Sequence, residues 1–290
     1  MSVPLVPLLM LALLQGVMEY LPISSEGQLV LVAWNVFRIA PDTALTLAFW
    51  LHLGTAIAIV LFYRNDIFGP LFQSIHTDNP SAQSEHIESK KIFGPLFWFV
   101  IVGTLGTVLV ALPLYFMLQV FVTQQWELLG ETVSLTVGVL LLFTGVILYF
   151  QRGAGGTQLL GNLSLLEAFI LGIVQGFAVL PGISRSGMTL TWLLLRGVER
   201  TESLRLSFLL SVPATFGLVG LDFLLGEFYW LSLPALAIIV LVPLVVGIGT
   251  LTALRQTALR APFWAFCLAI GLVVTILEVP AILALAAAAS

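Results

Sequence analysis

Along most of this chain, polar residues come in short bursts between apolar runs of about twenty residues, the length of helix that crosses a hydrocarbon core. Runs over 43–63, 92–118, 132–150, 204–224, 230–252 and 262–285 predict six spanning helices. Two other stretches are apolar but broken. Residues 3–21 carry Pro4, Pro7, Gly16 and Glu19, and after Pro22 and a serine pair the segment 29–37 is too short to cross alone. Residues 163–180 and 188–195 repeat that pattern around 181–187. Each pair predicts a re-entrant helical hairpin, because broken backbone at membrane depth is tolerated only where protein or a polar cavity surrounds it. Polar residues predict a loop over 64–91, a short turn over 123–131 and a Gly-rich linker over 151–162.

The two broken stretches are copies. At a shift of 160 residues, Gln15, Gly16, Ile23, Ser24 and Gly27 fall on Gln175, Gly176, Ile183, Ser184 and Gly187, while Pro22 and Pro181 miss by one position. The chain therefore predicts an all-α polytopic membrane protein with one transmembrane domain over 1–290. Its first repeat covers 1–150 and its second 163–285, each a hairpin plus three spans. Three spans turn the second copy upside down, which makes an inverted-topology repeat whose hairpin tips meet near the midplane.

Composition agrees with this reading. The chain of 290 residues is 59% hydrophobic and only 9% charged, against roughly a quarter charged for soluble domains. A net charge of −4 with no Lys/Arg block gives no sign of a nucleic-acid partner; the bilayer is the surrounding expected. The single Cys267 rules out an intramolecular disulfide and a cysteine metal cluster, and reads as a small core residue. The N-terminal run lacks a basic region and a convincing cleavage site, so it reads as part of the fold rather than a signal peptide. Trp34, Tyr63, Trp98, Trp126 and Trp230 at span ends suit an interfacial belt.

Charge also orients the topology. Nine of the eleven Lys and Arg (Arg64, Lys90, Lys91, Arg152, Arg196, Arg200, Arg205, Arg255 and Arg260) fall on one side, Arg38 on the other, and Arg185 within the membrane. The positive-inside rule makes the nine-residue side cytoplasmic, with both termini and the first hairpin outside.

Charged groups inside apolar sequence are costly and mark functional sites. Here they are Glu19 and Glu26 in the first copy and Arg185 in the second. Ser24-Ser25-Glu26-Gly27 and Ser184-Arg185-Ser186-Gly187 each precede a short helix. Serines cap free N–H groups there, and the N–H groups with the helix dipole attract anions. Two such N-termini, four hydroxyls and the planar fork of Arg185 suit a phosphate or diphosphate. Against this stands a purely structural pairing of Arg185 with Glu19 or Glu26. Glu19 lies one helical turn after Gln15; it reads as a ligand for Mg2+ or Ca2+, as a general base, or as the counter-ion of Arg185. His52, alone within a span, reads as a packing residue; His76 and His86 fall in the polar loop.

With these residues in view, the segments from Gln15-Gly16 through Glu19-Tyr20-Leu21-Pro22-Ile23-Ser24-Ser25-Glu26-Gly27-Gln28 and Pro181-Gly182-Ile183-Ser184-Arg185-Ser186-Gly187 resemble those of the undecaprenyl-diphosphate phosphatase family, also called bacitracin-resistance proteins. The resemblance runs nearly end to end. It implies removal of one phosphate from the diphosphate of a long polyprenyl carrier lipid, usually with a divalent cation, from the outer side of the plasma membrane; a homodimer is compatible with it. By that resemblance Glu19, Ser24, Ser25, Ser184, Arg185 and Ser186 fall on site positions. The expected diphosphate-binding set is Ser24, Ser25, Gly27, Gln28, Ser184, Arg185, Ser186 and Gly187; Glu19, Ser25 and Arg185 are expected to be catalytic, joined by Glu26 on its own carboxylate chemistry, and Glu19 and Glu26 to hold the metal. Two departures stand out. The family commonly has Glu where Gln15 stands and His where Gln28 stands, and neither Gln ionises; Glu26 stands where Thr is usual and offers a carboxylate from another direction. Three functions remain compatible with the residues: hydrolysis of the polyprenyl diphosphate, transport of polyprenyl phosphate without chemistry, and silent lipid binding.

Overall fold

The computed structural model describes residues 3–75, 94–124, 129–154, 156–225, 232–257 and 263–289. His76, His86, Lys90, Lys91, Trp126, Trp230 and Arg260 lie outside the described residues. Helices form wherever the apolar runs predicted them. The first hairpin is α1 (Leu5–Met18) and α2 (Ser25–Asn35), followed by α3 (Pro41–Phe62), α4 (Arg64–Ile75), α5 (Pro95–Gln124) and α6 (Leu129–Gln151). The second is α7 (Leu165–Gly176) and α8 (Arg185–Leu195), followed by α9 (Arg200–Leu225), α10 (Leu233–Thr257) and α11 (Phe263–Ala289). Among the described residues five helices are long and apolar enough to cross a membrane, namely α3, α5, α6, α9 and α10. Hydrocarbon holds no water to serve open backbone, so an apolar chain there closes its hydrogen bonds within helices. Pro113, Pro213 and Pro243 inside α5, α9 and α10 are accommodated by that packed surrounding.

Two segments differ from the sequence expectation. The first part of the supposed polar loop is the helix α4, whose first residue Arg64 donates back to the Leu61 carbonyl in the last turn of α3 at 3.2 Å. Asp66 on α4 accepts from Arg205 Nε at 2.9 Å, which ties α4 to the start of α9. The Gly-rich linker after α6 is an ordered strap: Gln158 N–H donates to Gly197 O at 3.0 Å and Glu199 N–H to Gln158 O at 2.9 Å. Backbone pairing replaces the freedom that the glycines seemed to offer.

Helices pack across the two halves of the chain. α1 lies on α10, and α7 lies on α5; α3 meets α9, and α6 meets α11. The approach of α7 to α5 depends on glycine, since a Cβ on Gly172 would sit 1.8 Å from the Gly103 carbonyl oxygen. Small residues at helix contacts let backbones pack closely where lipid offers no hydrophobic drive. The main apolar core gathers α1, α2, α3, α5 and α6 around Leu11, Leu29, Phe49, Leu51 and Leu141. Cys267 is buried beside Ile23, its thiol 3.6 Å from the Pro22 carbonyl. This packing leaves the breaks α1–α2 and α7–α8 facing each other inside the protein.

Candidate functional site

Both breaks are made by the same local chemistry. α1 stops after Met18 and α2 starts at Ser25, with Ser24 as its cap; α8 starts at Arg185, with Ser184 as its cap. Each cap serine accepts from the N–H three residues on, Gly27 to Ser24 at 3.3 Å and Gly187 to Ser184 at 3.1 Å. The tips then lock together: Gly182 N–H donates to Ser24 Oγ at 3.1 Å, and Ser186 Oγ donates to the Leu21 carbonyl at 3.0 Å. The contact leaves no room for side chains. A Cβ on Gly27 would lie 2.8 Å from the Gly182 nitrogen, and Gly182 itself has φ +110°, a region open to glycine. Thr144 on α6 braces the second tip by donating to the Gly182 carbonyl at 3.1 Å.

Glu19 sits at the centre. Its Oε2 accepts from Ser25 Oγ at 2.6 Å, Gln15 Nε2 at 2.8 Å and His52 Nε2 at 3.0 Å, while Oε1 pairs with Arg185 Nη2. His52 Nδ1 meets the Ala48 carbonyl at 2.6 Å, so both ring nitrogens face acceptors and the ring is fixed between α3 and Glu19. A charge buried in apolar surroundings persists only when paired and hydrogen-bonded. Glu19 fulfils that condition with four partners from four elements. Several polar atoms do not: Arg185 Nη1, Glu26 Oε1 and Gln15 Oε1 are buried with no hydrogen-bond partner among the described residues. An uncompensated guanidinium nitrogen beside uncompensated oxygens is a costly arrangement. It is the arrangement that an anion accompanied by a cation would complete.

Arg185, Glu26 and Glu19 border a cavity of about 310 Å³. Glu19, Ser24, Ser25, Glu26, His52, Ser184, Arg185 and Ser186 line its polar end, and the rest is mostly apolar, from α5, α9 and the region of the second break, with Thr107, Gln175 and Thr215 among it. All the expected catalytic residues, Glu19, Ser25, Glu26 and Arg185, thus share one space. Gly27 and Gly187 are held by the two caps, and Gln28, whose Nε2 donates to the Ile23 carbonyl at 3.4 Å, is buried behind the first tip. Arg185 does pair with Glu19, the structural role considered above, yet its second nitrogen stays open beside the cavity.

For a divalent cation, Glu26 offers an open oxygen on the cavity wall and Glu19 a second carboxylate, oxygens of the hard kind that Mg2+ and Ca2+ take. Among the described residues no three His, Cys, Asp or Glu are grouped to hold an ion by themselves. A cation here would draw further ligands from phosphate oxygens.

From the sequence His52 reads as a packing residue, and a buried carboxylate, Asp222 on α9, goes unmarked. Trp50 Nε1 donates to Asp222 Oδ2 at 2.7 Å and Tyr115 OH to Oδ1 at 3.1 Å, joining α3, α5 and α9. The signal available was a lone polar residue inside each apolar run; what each would meet required the packing.

Known proteins resemble this chain over nearly its whole length. The family model described as Bacitracin resistance protein BacA matches residues 8–274. An undecaprenyl-diphosphatase of Methanothrix thermoacetophila is 35% identical over 266 residues, covering 91% of this chain and 93% of the relative. One of Haloarcula marismortui is 36% identical over 274 residues, 92% of this chain and 95% of the relative. A third, of Methanococcoides burtonii, is 31% identical over 278 residues, 91% and 94% respectively.

Proposed function

The chain belongs to the Bacitracin resistance protein BacA family, and we propose that it is a membrane phosphatase that converts an undecaprenyl-type polyprenyl diphosphate to its monophosphate and inorganic phosphate, recycling the carrier lipid. The observation that carries this reading is the buried cluster of Glu19, Ser25, His52 and Arg185 at the head of an apolar cavity. A polar head and an apolar body match a diphosphate on an isoprenoid chain. Relatives carrying the name undecaprenyl-diphosphatase favour hydrolysis over transport without chemistry.

In this reading Arg185 turns its open Nη1 to a phosphate oxygen, and the N-termini of α2 and α8 face the charge that builds up as the bond breaks. Ser25, 2.6 Å from Glu19, is the attacking group or the holder of the attacking water. The attacking oxygen bonds to the terminal phosphorus, its proton passes to Glu19 Oε2, and the bridging P–O bond breaks with its electron pair leaving on the lipid monophosphate. Where Ser25 attacks, a water then bonds to that phosphorus, the Ser25 O–P bond breaks, Ser25 Oγ regains a proton from Glu19, and inorganic phosphate leaves. His52 and Gln15 keep Glu19 oriented throughout. Glu19 and Glu26 would hold a Mg2+ or Ca2+, which neutralises phosphate charge when bound.

The same reading gives the molecule six spans and two re-entrant hairpins in an inverted repeat, α11 being the sixth span. It is supported by the crossed packing, α1 on α10 against α7 on α5, with like pairs α3–α9 and α6–α11. Arg64, Arg152, Arg196, Arg200 and Arg205 at helix ends make their side cytoplasmic and open the site to the outer face of the plasma membrane.

The test is phosphate release by purified protein from C55 or shorter polyprenyl diphosphates, with and without Mg2+ or Ca2+. Release is expected. Arg185→Lys keeps the charge and loses the two-pronged geometry, so it should fall at least tenfold, about 1.4 kcal/mol. A wild type that binds polyprenyl monophosphate yet releases nothing under any metal would establish the transporter instead.

A further inference from the structure

A guanidinium on a long side chain serves an anion well only if the backbone that carries it is held still. Three holds act on the turn that carries Arg185. Thr144 on α6 donates to the Gly182 carbonyl at 3.1 Å and accepts from the Ser184 N–H at 3.3 Å. Ser186 Oγ donates to the Leu21 carbonyl of the opposite tip at 3.0 Å. The third hold comes from α9 and runs through two hydroxyls. Thr189 Oγ1 lies 2.9 Å from the Arg185 carbonyl oxygen, one helical turn back, and 2.6 Å from Ser207 Oγ; the Ser186 carbonyl is farther, at 3.4 Å. A carbonyl oxygen only accepts. The Thr189 proton therefore goes to Arg185, and Ser207 donates to Thr189. Both hydroxyl residues are buried, Thr189 completely.

The first half of the chain shows that packing does not require this pair. At the shift of 160 residues Thr189 and Ser207 fall on Leu29 and Leu47, both buried, and α2 packs on α3 as α8 packs on α9. Leucines serve that contact without a polar atom. Two buried hydroxyls carry a desolvation cost that their hydrogen bonds only offset, and they stand on the half that holds the arginine. Neither Thr189 nor Ser207 lines the cavity, so neither meets a ligand there directly. Resting on the polyprenyl diphosphate reading above, we propose that Thr189 and Ser207 are positioning residues for Arg185, tying its backbone carbonyl to α9. With that turn fixed, Nη2 stays on Glu19 and Nη1 stays free for a phosphate oxygen.

Thr189→Val tests this, since it keeps the branched shape and removes only the hydroxyl. For a C55 diphosphate, kcat/KM should fall at least tenfold, and Thr189→Ser, which restores the hydroxyl, should stay within threefold of wild type. Ser207→Ala should fall at least threefold, and it carries the same test should Thr189→Val fail to fold. A variant that is merely less stable loses activity whatever stands at position 185. The double mutant with Arg185→Lys separates the two cases: in that background Thr189→Val should cost less than twofold, because the two-pronged clamp is already gone. Equal losses in both backgrounds, or no loss in the wild-type background, overturn the proposal. Dissociation constants for C55 monophosphate, measured on the same four proteins, should follow the same pattern without any turnover. That pattern in a chain that never releases phosphate would overturn the hydrolase reading and leave the positioning pair standing.

Discussion

The two hairpin tips are one device used for two purposes. Both end a short helix, pass through a proline, and start the next helix with a serine that caps a glycine N–H. Their glutamines part company. Gln15 donates to Glu19 at 2.8 Å, whereas its counterpart Gln175, on the wall of the same cavity, donates to Thr107 at 3.0 Å and to the Leu210 carbonyl at 3.4 Å, holding α7 to α5 and α9. Their caps differ as well: Ser24 sits at φ +58°, a left-handed conformation uncommon for serine, and Ser184 at φ −75°. The strained cap is the one that also accepts the Gly182 N–H from the opposite tip. The two breaks share a serine-capped helix start, and they carry opposite charges, carboxylates on the first and a guanidinium on the second, which meet as Glu19 pairs with Arg185.

The sharpest way to break this division is Glu19→Gln. It removes the carboxylate that joins the tips while keeping the size of the side chain, and turnover should fall by about 10²–10⁴-fold, the usual contribution of a positioned acid or base. Release of phosphate at more than a tenth of the wild-type rate would show that Glu19 is only the partner of Arg185.

A smaller effect is expected at Glu26, the carboxylate with an open oxygen. Glu26→Thr should lower turnover by tenfold or more and weaken its dependence on Mg2+ or Ca2+; adding Gln15→Glu should restore part of both, by returning a second carboxylate beside Glu19. The same Glu26→Thr change should raise the thermal unfolding midpoint in metal-free buffer, since a costly buried group is gone. Unchanged turnover and metal response would leave Glu26 a hairpin residue without a part in the chemistry.

The smallest effect sharpens the contrast between the glutamines. Gln175→Leu should cost about 1–3 kcal/mol of stability, because Thr107 and the Leu210 carbonyl lose their donor, while turnover at low temperature stays within a few-fold of wild type. Gln15→Leu should do the reverse, lowering turnover more than the unfolding midpoint. Unfolding scans and phosphate-release rates on the pair, measured side by side, decide the matter; equal profiles would mean that the two copies still do the same job.

How far the chain could be read without its structure follows from which forces are local. Hydrocarbon forces backbone to close its hydrogen bonds within each segment, so a run of apolar residues is already a helix, and α3, α5, α6, α9 and α10 appear close to where hydropathy put them. The breaks were legible for the same reason: Pro22, Pro181 and the capping serines act on their own neighbours. Burial cost alone marked Glu19, Glu26 and Arg185 as a site. Tertiary structure decided the remainder, because it depended on distances between helices far apart in sequence. His52 looked like packing until α3 came to rest with the ring 3.0 Å from Glu19. Asp222 acquired its meaning from Trp50, 172 positions away, and Tyr115, 107 away. The Gly-rich segment after α6 looked like a linker until Gly197 and Glu199 paired with it. Local chemistry specified the helices and the charges; only the crossed packing of the two halves brought those charges to one point and opened a cavity beside them.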